Sequence, residues 1–202
     1  HIIIQIITGP VGIPIGRQWY QLKIPAVLFG INTVMFNTGT WLEATQANYS
    51  ATIGPNIGAD VAPITPKTIP FAKKHKERFR GNAGTYLPAA AYDGLYIWAE
   101  AVERAGTFDS DAVAKEMEKT DYIGVQGRTV FWPPTTEVNR LQLPHEYKFG
   151  KGYITGCAMQ YVDDKVNVVW PTKDWPKEWG LEYEGTVPYQ LPPWMVEYWQ
   201  AK

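Results

Sequence analysis

HIIIQIITGPVGIPIGRQWYQLKIPAVLFGIN, residues 1 to 32, passes from an apolar run through a glycine turn and a helical pattern to a second apolar run. From Ile2 to Ile7 it is apolar at nearly every position, the pattern of a parallel strand covered on both faces. A short buried helix reads the same way, and the flanks favour the strand: Thr8, Gly9, Pro10, Val11 and Gly12 make a tight turn. Ile15, Trp19 and Leu22 then fall at i, i+4 and i+7, on one face of a helix. Pro25 precedes a second apolar run, Ala26 to Ile31. Strand, glycine turn, short helix and strand in about 30 residues is a βαβ unit with a right-handed crossover, so the fold class is α/β.

Downstream, a third strand is expected around Tyr49 to Ile53. From Gly54 to Pro70 the residues Pro55, Gly58, Pro63, Pro66 and Pro70 break any regular element, as in a linker or hinge. Thr68 is placed to cap a helix with Phe71, His75 and Phe79 on one face and Lys73, Lys74, Lys76 and Arg80 mostly off it. A longer helix is expected from Pro88 to Ala105, with Ala91, Leu95, Trp98, Val102 and Ala105 as its buried stripe and Gly106 as its stop. Asp109 or Ser110 caps a third helix through Lys119. The texture then turns to β, at Arg128 to Trp132, Tyr153 to Val162 and Lys165 to Trp170, the last two joined by a hairpin turn at Asp163 and Asp164. Five tryptophans (Trp170, Trp175, Trp179, Trp194, Trp199) and five prolines (Pro171, Pro176, Pro188, Pro192, Pro193) close the chain, which suits an irregular tail held by aromatic contacts. A partner-binding strap is the functional alternative.

The 202 residues suffice for one domain or two small lobes. With 19 Lys+Arg against 20 Asp+Glu there is no long-range field to gather a polyanion, so neither nucleic acid nor an anionic membrane is an expected partner. No apolar run approaches the roughly 20 residues that span a bilayer. The lone Cys157 excludes an internal disulfide and a Cys-rich zinc site. His1 carries neither an initiator Met nor a basic leader; the chain opens inside a strand, and any export signal is expected upstream.

Catalytic patterns are sparse. Ser50 and Ser110 stand outside any G-x-S-x-G elbow, and Ser110 reads as part of a helix cap. Cys157 lies in an apolar β segment, twelve residues after His145, and reads as buried and inert. His1, His75 and His145 have no i, i+4 partner, so no metal or other cofactor is expected. The acidic pairs Asp163/Asp164 and Glu182/Glu184 fit a turn and a solvated segment, and the basic run KKHKERFR (73 to 80) fits a solvated helix face. The best local candidate is TGPVGIPIG, residues 8 to 16, which is neither G-x-G-x-x-G nor a P-loop. In open parallel sheets ligands bind beyond the carboxyl ends of strands. Thr8 and Gly9 end the first strand and Ile31 and Asn32 the second, although a tight turn without a ligand accounts for this segment equally well.

Three further segments carry a resemblance: YDGLYIWAEAVERAGTFDSDAVAKEMEKT (92 to 120), YIGVQGRTVFWP (122 to 133) and QYVDDKVNVVWP (160 to 171). With QWYQLKIPAVLFGIN (18 to 32) and VAPITPKTIPF (61 to 71), their order and spacing resemble the C-terminal portion of type I periplasmic solute-binding proteins, the branched-chain amino-acid-type substrate-binding components of ABC transporters. The resemblance implies two Rossmann-like α/β lobes that close about a hinge on a small ligand, without catalysis and without a cofactor. It assigns residues 1–60 and 151–202 to the second lobe and 61–150 to the first, whose N-terminal part would lie upstream. It implies an extracytoplasmic protein working with an inner-membrane permease, or a ligand-sensing receptor of the same fold.

The resemblance also places Thr8 and Gly9 where relatives bring an aromatic residue to the ligand. Asn32 falls near where amino-acid binders place an acid for the ligand ammonium, and Tyr86 matches a tyrosine near the cleft, with Pro88 near another aromatic position. An amide oxygen accepts a hydrogen bond but supplies no counter-charge. These departures leave amides, carboxylates, urea-like compounds and aromatic acids open as ligands beside amino acids.

Overall fold

Strands β1 (Ile2–Ile7) and β2 (Val27–Asn32) run parallel, from Ile2 beside Val27 to Ile7 beside Asn32, and α1 (Gly12–Gln21) connects them. This is the expected βαβ unit, seen in a computed structural model that describes residues 1–54, 62–81, 83, 86–138, 143–150, 152–154, 156–170 and 186–202, the side chains of Thr38 and Tyr86 excepted. Gly30 in β2 has φ 132°, and a Cβ there would lie 2.1 Å from the Gln5 carbonyl oxygen, so only glycine allows the two strands to meet at this level.

Two expectations about burial need correction. Trp19 is buried, but Ile15 and Leu22 are exposed, Leu22 by 71%. The buried face of α1 is instead Gly12, Gly16 and Trp19. A Cβ on Gly16 would sit 2.2 Å from the Trp41 ring. The helix docks through its smallest residues, which a pattern built on bulky side chains overlooks. In β1, Gln5 is buried whereas Ile2, Ile4 and Ile6 are exposed, Ile6 by 81%. Strand neighbours alternate in direction, so Gln5 faces Asn32 and Met35 while the isoleucine face has no cover among the described residues.

A single 3-10 turn (Thr33–Phe36), α2 (Thr38–Thr45) and β3 (Ala51–Gly54) follow. The Thr52 hydroxyl donates to the Gly30 carbonyl at 3.0 Å, which ties β3 to β2. Next comes a helical group. Helix α3 (Thr68–Phe79) begins one residue after Lys67, which makes no side-chain cap. Thr68 is therefore not the cap; its hydroxyl accepts from the Thr65 amide (2.8 Å) and donates to the Val125 carbonyl (2.8 Å).

Helix α4 (Tyr86–Ala105) ends at Gly106, φ 64°, as expected. Its buried face is not the expected one. Leu95 and Trp98 are 63% and 43% exposed, and Ala91 is exposed, while Ala89, Asp93, Ile97 and Ala101 are buried. Asp93 sets that face: its carboxylate accepts from the amides of Val125 (2.8 Å) and Gln126 (3.0 Å). Helix α5 (Ser110–Met117) is capped by Asp109, whose carboxylate accepts from the Ala112 amide at 3.0 Å. β4 (Asp121–Ile123) pairs antiparallel with β5 (Arg128–Val130), a shorter strand than expected, with Phe131 bridging to Tyr147.

β6 (Cys157–Val162) and β7 (Lys165–Trp170) form the expected hairpin, with Asp163 and Asp164 at φ 51° and 57° in its turn. β6 also pairs antiparallel with β3, so the sheet order is β3-β6-β7. The core joins Trp19, Leu28, Met35, Trp41, Ala47 and Tyr161, and beside them Phe36, Ala62, Ile64, Cys157, Met159 and Val168.

The tail is less irregular than expected. Residues Pro193–Gln200 form α6, because proline at the first helical position costs no hydrogen bond and presets φ. Aromatic contacts hold it as expected: Trp194 meets Trp19, Tyr20 and Tyr49 at 5.3, 5.6 and 5.8 Å between ring centres, and Trp199 meets His1 at 4.8 Å. Gln190 and Gln160 exchange two hydrogen bonds, of 2.9 and 2.7 Å. Pro171, Trp175, Pro176, Trp179, Glu182 and Glu184 lie outside the described residues.

Candidate functional site

Because β1 and β2 are parallel and in register, their carboxyl ends stop at one level, at Ile7 and Asn32. Beyond them three short pieces meet: the turn at Thr8 and Gly9, the 3-10 turn that starts at Thr33, and the first turn of α1. Gly9 has φ 90°, a conformation side chains resist, and its amide donates to the Thr33 hydroxyl at 3.0 Å. A Cβ at Gly9 would meet nothing within 4 Å, so there is open space over this corner. Thr8 is exposed there.

Asn32 holds the corner from beneath. It is fully buried; its amide nitrogen donates to Gln5 Oε1 (3.1 Å) and its oxygen accepts from the Val34 amide (3.2 Å), which caps the 3-10 turn. Gln5 in turn donates to the Met35 sulfur at 3.3 Å. A Cβ on Gly12 would lie 2.5 Å from the Asn32 amide, so α1 starts directly against it. Buried polar groups require such partners, and here they fix the level at which both strands end.

Thr8, Gly9 and Asn32 thus meet at one corner. Tyr86 belongs to the other group of elements, as the first residue of α4, and its side chain lies outside the described residues. Reading the sequence alone misses Thr33. Its hydroxyl accepts from Gly9 and retains a proton to donate. The signal was available in the strand-end position of Asn32, since the next residue must lie at the same mouth. Thr8, Gly9 and Thr33 bring hydroxyls and backbone amides and no ionised group to the open side of the corner, a set suited to hydrogen-bonding a polar solute, while the Asn32 side chain is buried and engaged beneath them.

The other candidates fall elsewhere. Cys157 is fully buried in the β6 core, while His145 is exposed and sits 3.4 Å from Glu118. Ser50 is buried and accepts from the Trp41 indole at 3.0 Å. His75 meets the Gly81 carbonyl at 3.1 Å, and Asp164 exchanges bonds with Asn48 of 2.9 and 3.0 Å. Burial holds the Asp93 carboxyl above the ordinary carboxylate range, against the pull of the two amides it accepts from; Asp121 is held below it by its bond to Arg128. Both belong to the fold of the α4–β5 region. No helix among the described residues is long and apolar enough to cross a membrane.

Comparison with known proteins gives a consistent outcome. Residues 7–142 match the model of a family described as periplasmic binding protein. No curated protein matches the sequence. Among solved structures, the chain is similar to a leucine binding protein, LivK, from Thermotoga maritima MSB8 (TM-score 0.55, 19% identity, 77% of this chain and 40% of that one). It is also similar to a Silicibacter pomeroyi protein described under a branched-chain amino acid ABC transporter (0.60, 16%, 91% and 44%). A third is an amino acid ABC transporter substrate-binding protein from Pseudomonas fluorescens Pf-5 (0.57, 16%, 93% and 45%). The chain spans less than half the length of these structures.

Proposed function

The chain belongs to the periplasmic binding protein family, and from that membership we propose that it forms part of an extracytoplasmic solute-binding protein that hands a small polar metabolite to an ABC importer. The ligand is an amino acid or a related amide or carboxylate, and the partner is the importer's permease in the inner membrane. Residues 1–60 and 151–202 act as one lobe and 61–150 as part of the other. A ligand that contacts both lobes favours the closed state by its differential affinity, and the permease recognises that state. Capture requires no covalent step.

The observation that carries this reading is the corner beyond two parallel strand ends, within a chain matched to this family over residues 7–142. There Thr8 offers its hydroxyl to the ligand, Gly9 keeps the approach unobstructed, and Asn32 sets the level of the corner. From the opposing lobe the family resemblance assigns Tyr86, the first residue of α4, to the ligand. With hydroxyls and amides only, the corner suits the uncharged polar part of a solute.

The test is thermal unfolding of the full-length gene product against a panel of amino acids, amides, ureas and carboxylates. The expected result is a rise in Tm with one chemical class, corresponding to a stabilisation of about 2.7 kcal/mol at a hundredfold excess over Kd. No shift with any class contradicts the proposal.

A further inference from the structure

Helix α3 carries a second feature, remote in sequence from the strand-end corner. Its residues repeat a ring and a cation turn by turn: Phe71, then Lys74 with His75, then Arg78 with Phe79. At 3.6 residues per turn these fall on one broad stripe. The rings touch in sequence, Phe71 to His75 at 5.9 Å and His75 to Phe79 at 4.9 Å between centres. From α4, Tyr92 closes the stripe into a groove, its ring 5.0 Å from Phe71.

The resulting cavity measures about 560 Å³, and no acidic side chain lines it among the described residues. That volume lies within the range of small-molecule sites. Its cations differ in their engagements. Lys67 is occupied, with its ammonium 4.2 Å from the centre of the Tyr122 ring. Lys74 and Arg78 make no ion pair among the described residues, and Arg78 lies 5.6 Å from the Phe79 ring. Glu77, the acid on this helix, is absent from the groove's lining.

Ring faces and edges accept a flat apolar body, and two unpaired cations beside them accept a carboxylate, by charge-assisted hydrogen bonds. The geometry points to this groove as a binding site for a small aromatic carboxylate, separate from the strand-end corner. An aliphatic acid has no ring to stack, and a neutral aromatic gives the cations no partner. Both halves of the ligand are therefore required.

Benzoate is the probe, titrated calorimetrically into the full-length gene product, with acetate and benzyl alcohol as controls. The expected result is saturable binding of benzoate, about tenfold tighter than either control. The double variant Lys74→Glu, Arg78→Glu is expected to weaken benzoate at least about tenfold while the circular dichroism spectrum stays unchanged. Tyr92→Ala tests the opposite wall and is expected to weaken benzoate and benzyl alcohol alike. No saturable binding by the wild-type chain, or equal binding by a folded double variant, overturns the site. None of these substitutions touches Thr8, Gly9, Asn32 or Tyr86, so either outcome is distinct from success or failure of the proposed solute site.

Discussion

The elements around β1, β2, β3, β6 and β7 differ from the group formed by α3, α4 and α5 in where they put their large apolar side chains. In the first, Trp19, Trp41, Phe36 and Tyr161 are fully buried, and their polar atoms are engaged: the Trp41 indole with Ser50, the Trp19 indole with the Ala26 carbonyl and the Tyr161 hydroxyl with the Met35 carbonyl. In the second, the buried cluster is Ala89 and Val125 with Phe71 against it, while Leu87, Leu95, Trp98 and Phe108 face outward. One region is held by a dense aromatic core. The other is held by specific polar anchors, above all Asp93 and Thr68. Hydrophobic content alone therefore does not say which face of an element is inside.

Substitutions in the two regions put this contrast to the test. The largest effect is expected from Trp41→Ala, about 3–5 kcal/mol of lost stability in urea unfolding, because it empties a fully buried site. A loss below about 1 kcal/mol, typical of a surface site, would remove the aromatic core from the account.

Asp93→Ala comes next. It leaves the Val125 and Gln126 amides unpaired beneath α4, at about 1–3 kcal/mol for each buried group. Asp93 also predicts a pH signature. Its carboxyl is raised in the folded protein by burial, so between the ordinary value and the raised one the folded state holds a proton that the unfolded state has released. Stability therefore falls as pH rises through that window and levels off above it. Thermal melts of Asp93→Asn should lack this slope, and retention of the full slope would assign it to another group.

Gly16→Ala is expected to cost about 1–3 kcal/mol, since the added methyl meets the ring of Trp41, which has no room to withdraw. A neutral result would show that α1 can move off the core. The smallest effect belongs to the open region: Leu95→Lys is expected within about 0.5 kcal/mol of wild type in the 202-residue chain. A loss of more than about 1 kcal/mol would mean that this face is covered, and the contrast would fail.

The same contrast separates what could be read in the sequence from what could not. The βαβ unit, the β6–β7 hairpin and the Gly106 stop follow from local rules, because apolar runs, turn residues and glycine act on their own neighbours. On α1 and α4 the faces buried among the described residues are not the bulky apolar stripes but the ones that tertiary partners select. Gly12 and Gly16 allow a closer approach than any bulky residue, and Asp93 is drawn inward by two amides far along the chain. At the candidate site, the strand-end placement of Thr8, Gly9 and Asn32 was legible from the pattern of strands. The engagement of Asn32 with Gln5 and Val34 was not, since a polar residue at a strand end reads the same whether it faces a ligand or the core.

Amide hydrogen exchange on the full-length gene product, free and saturated with whichever solute raises its Tm, reports directly on the strand-end site. Slowed exchange is expected in peptides covering residues 8–12 and 31–34, the corner beyond β1 and β2. Unchanged exchange in both, with protection confined to other peptides, would contradict that site.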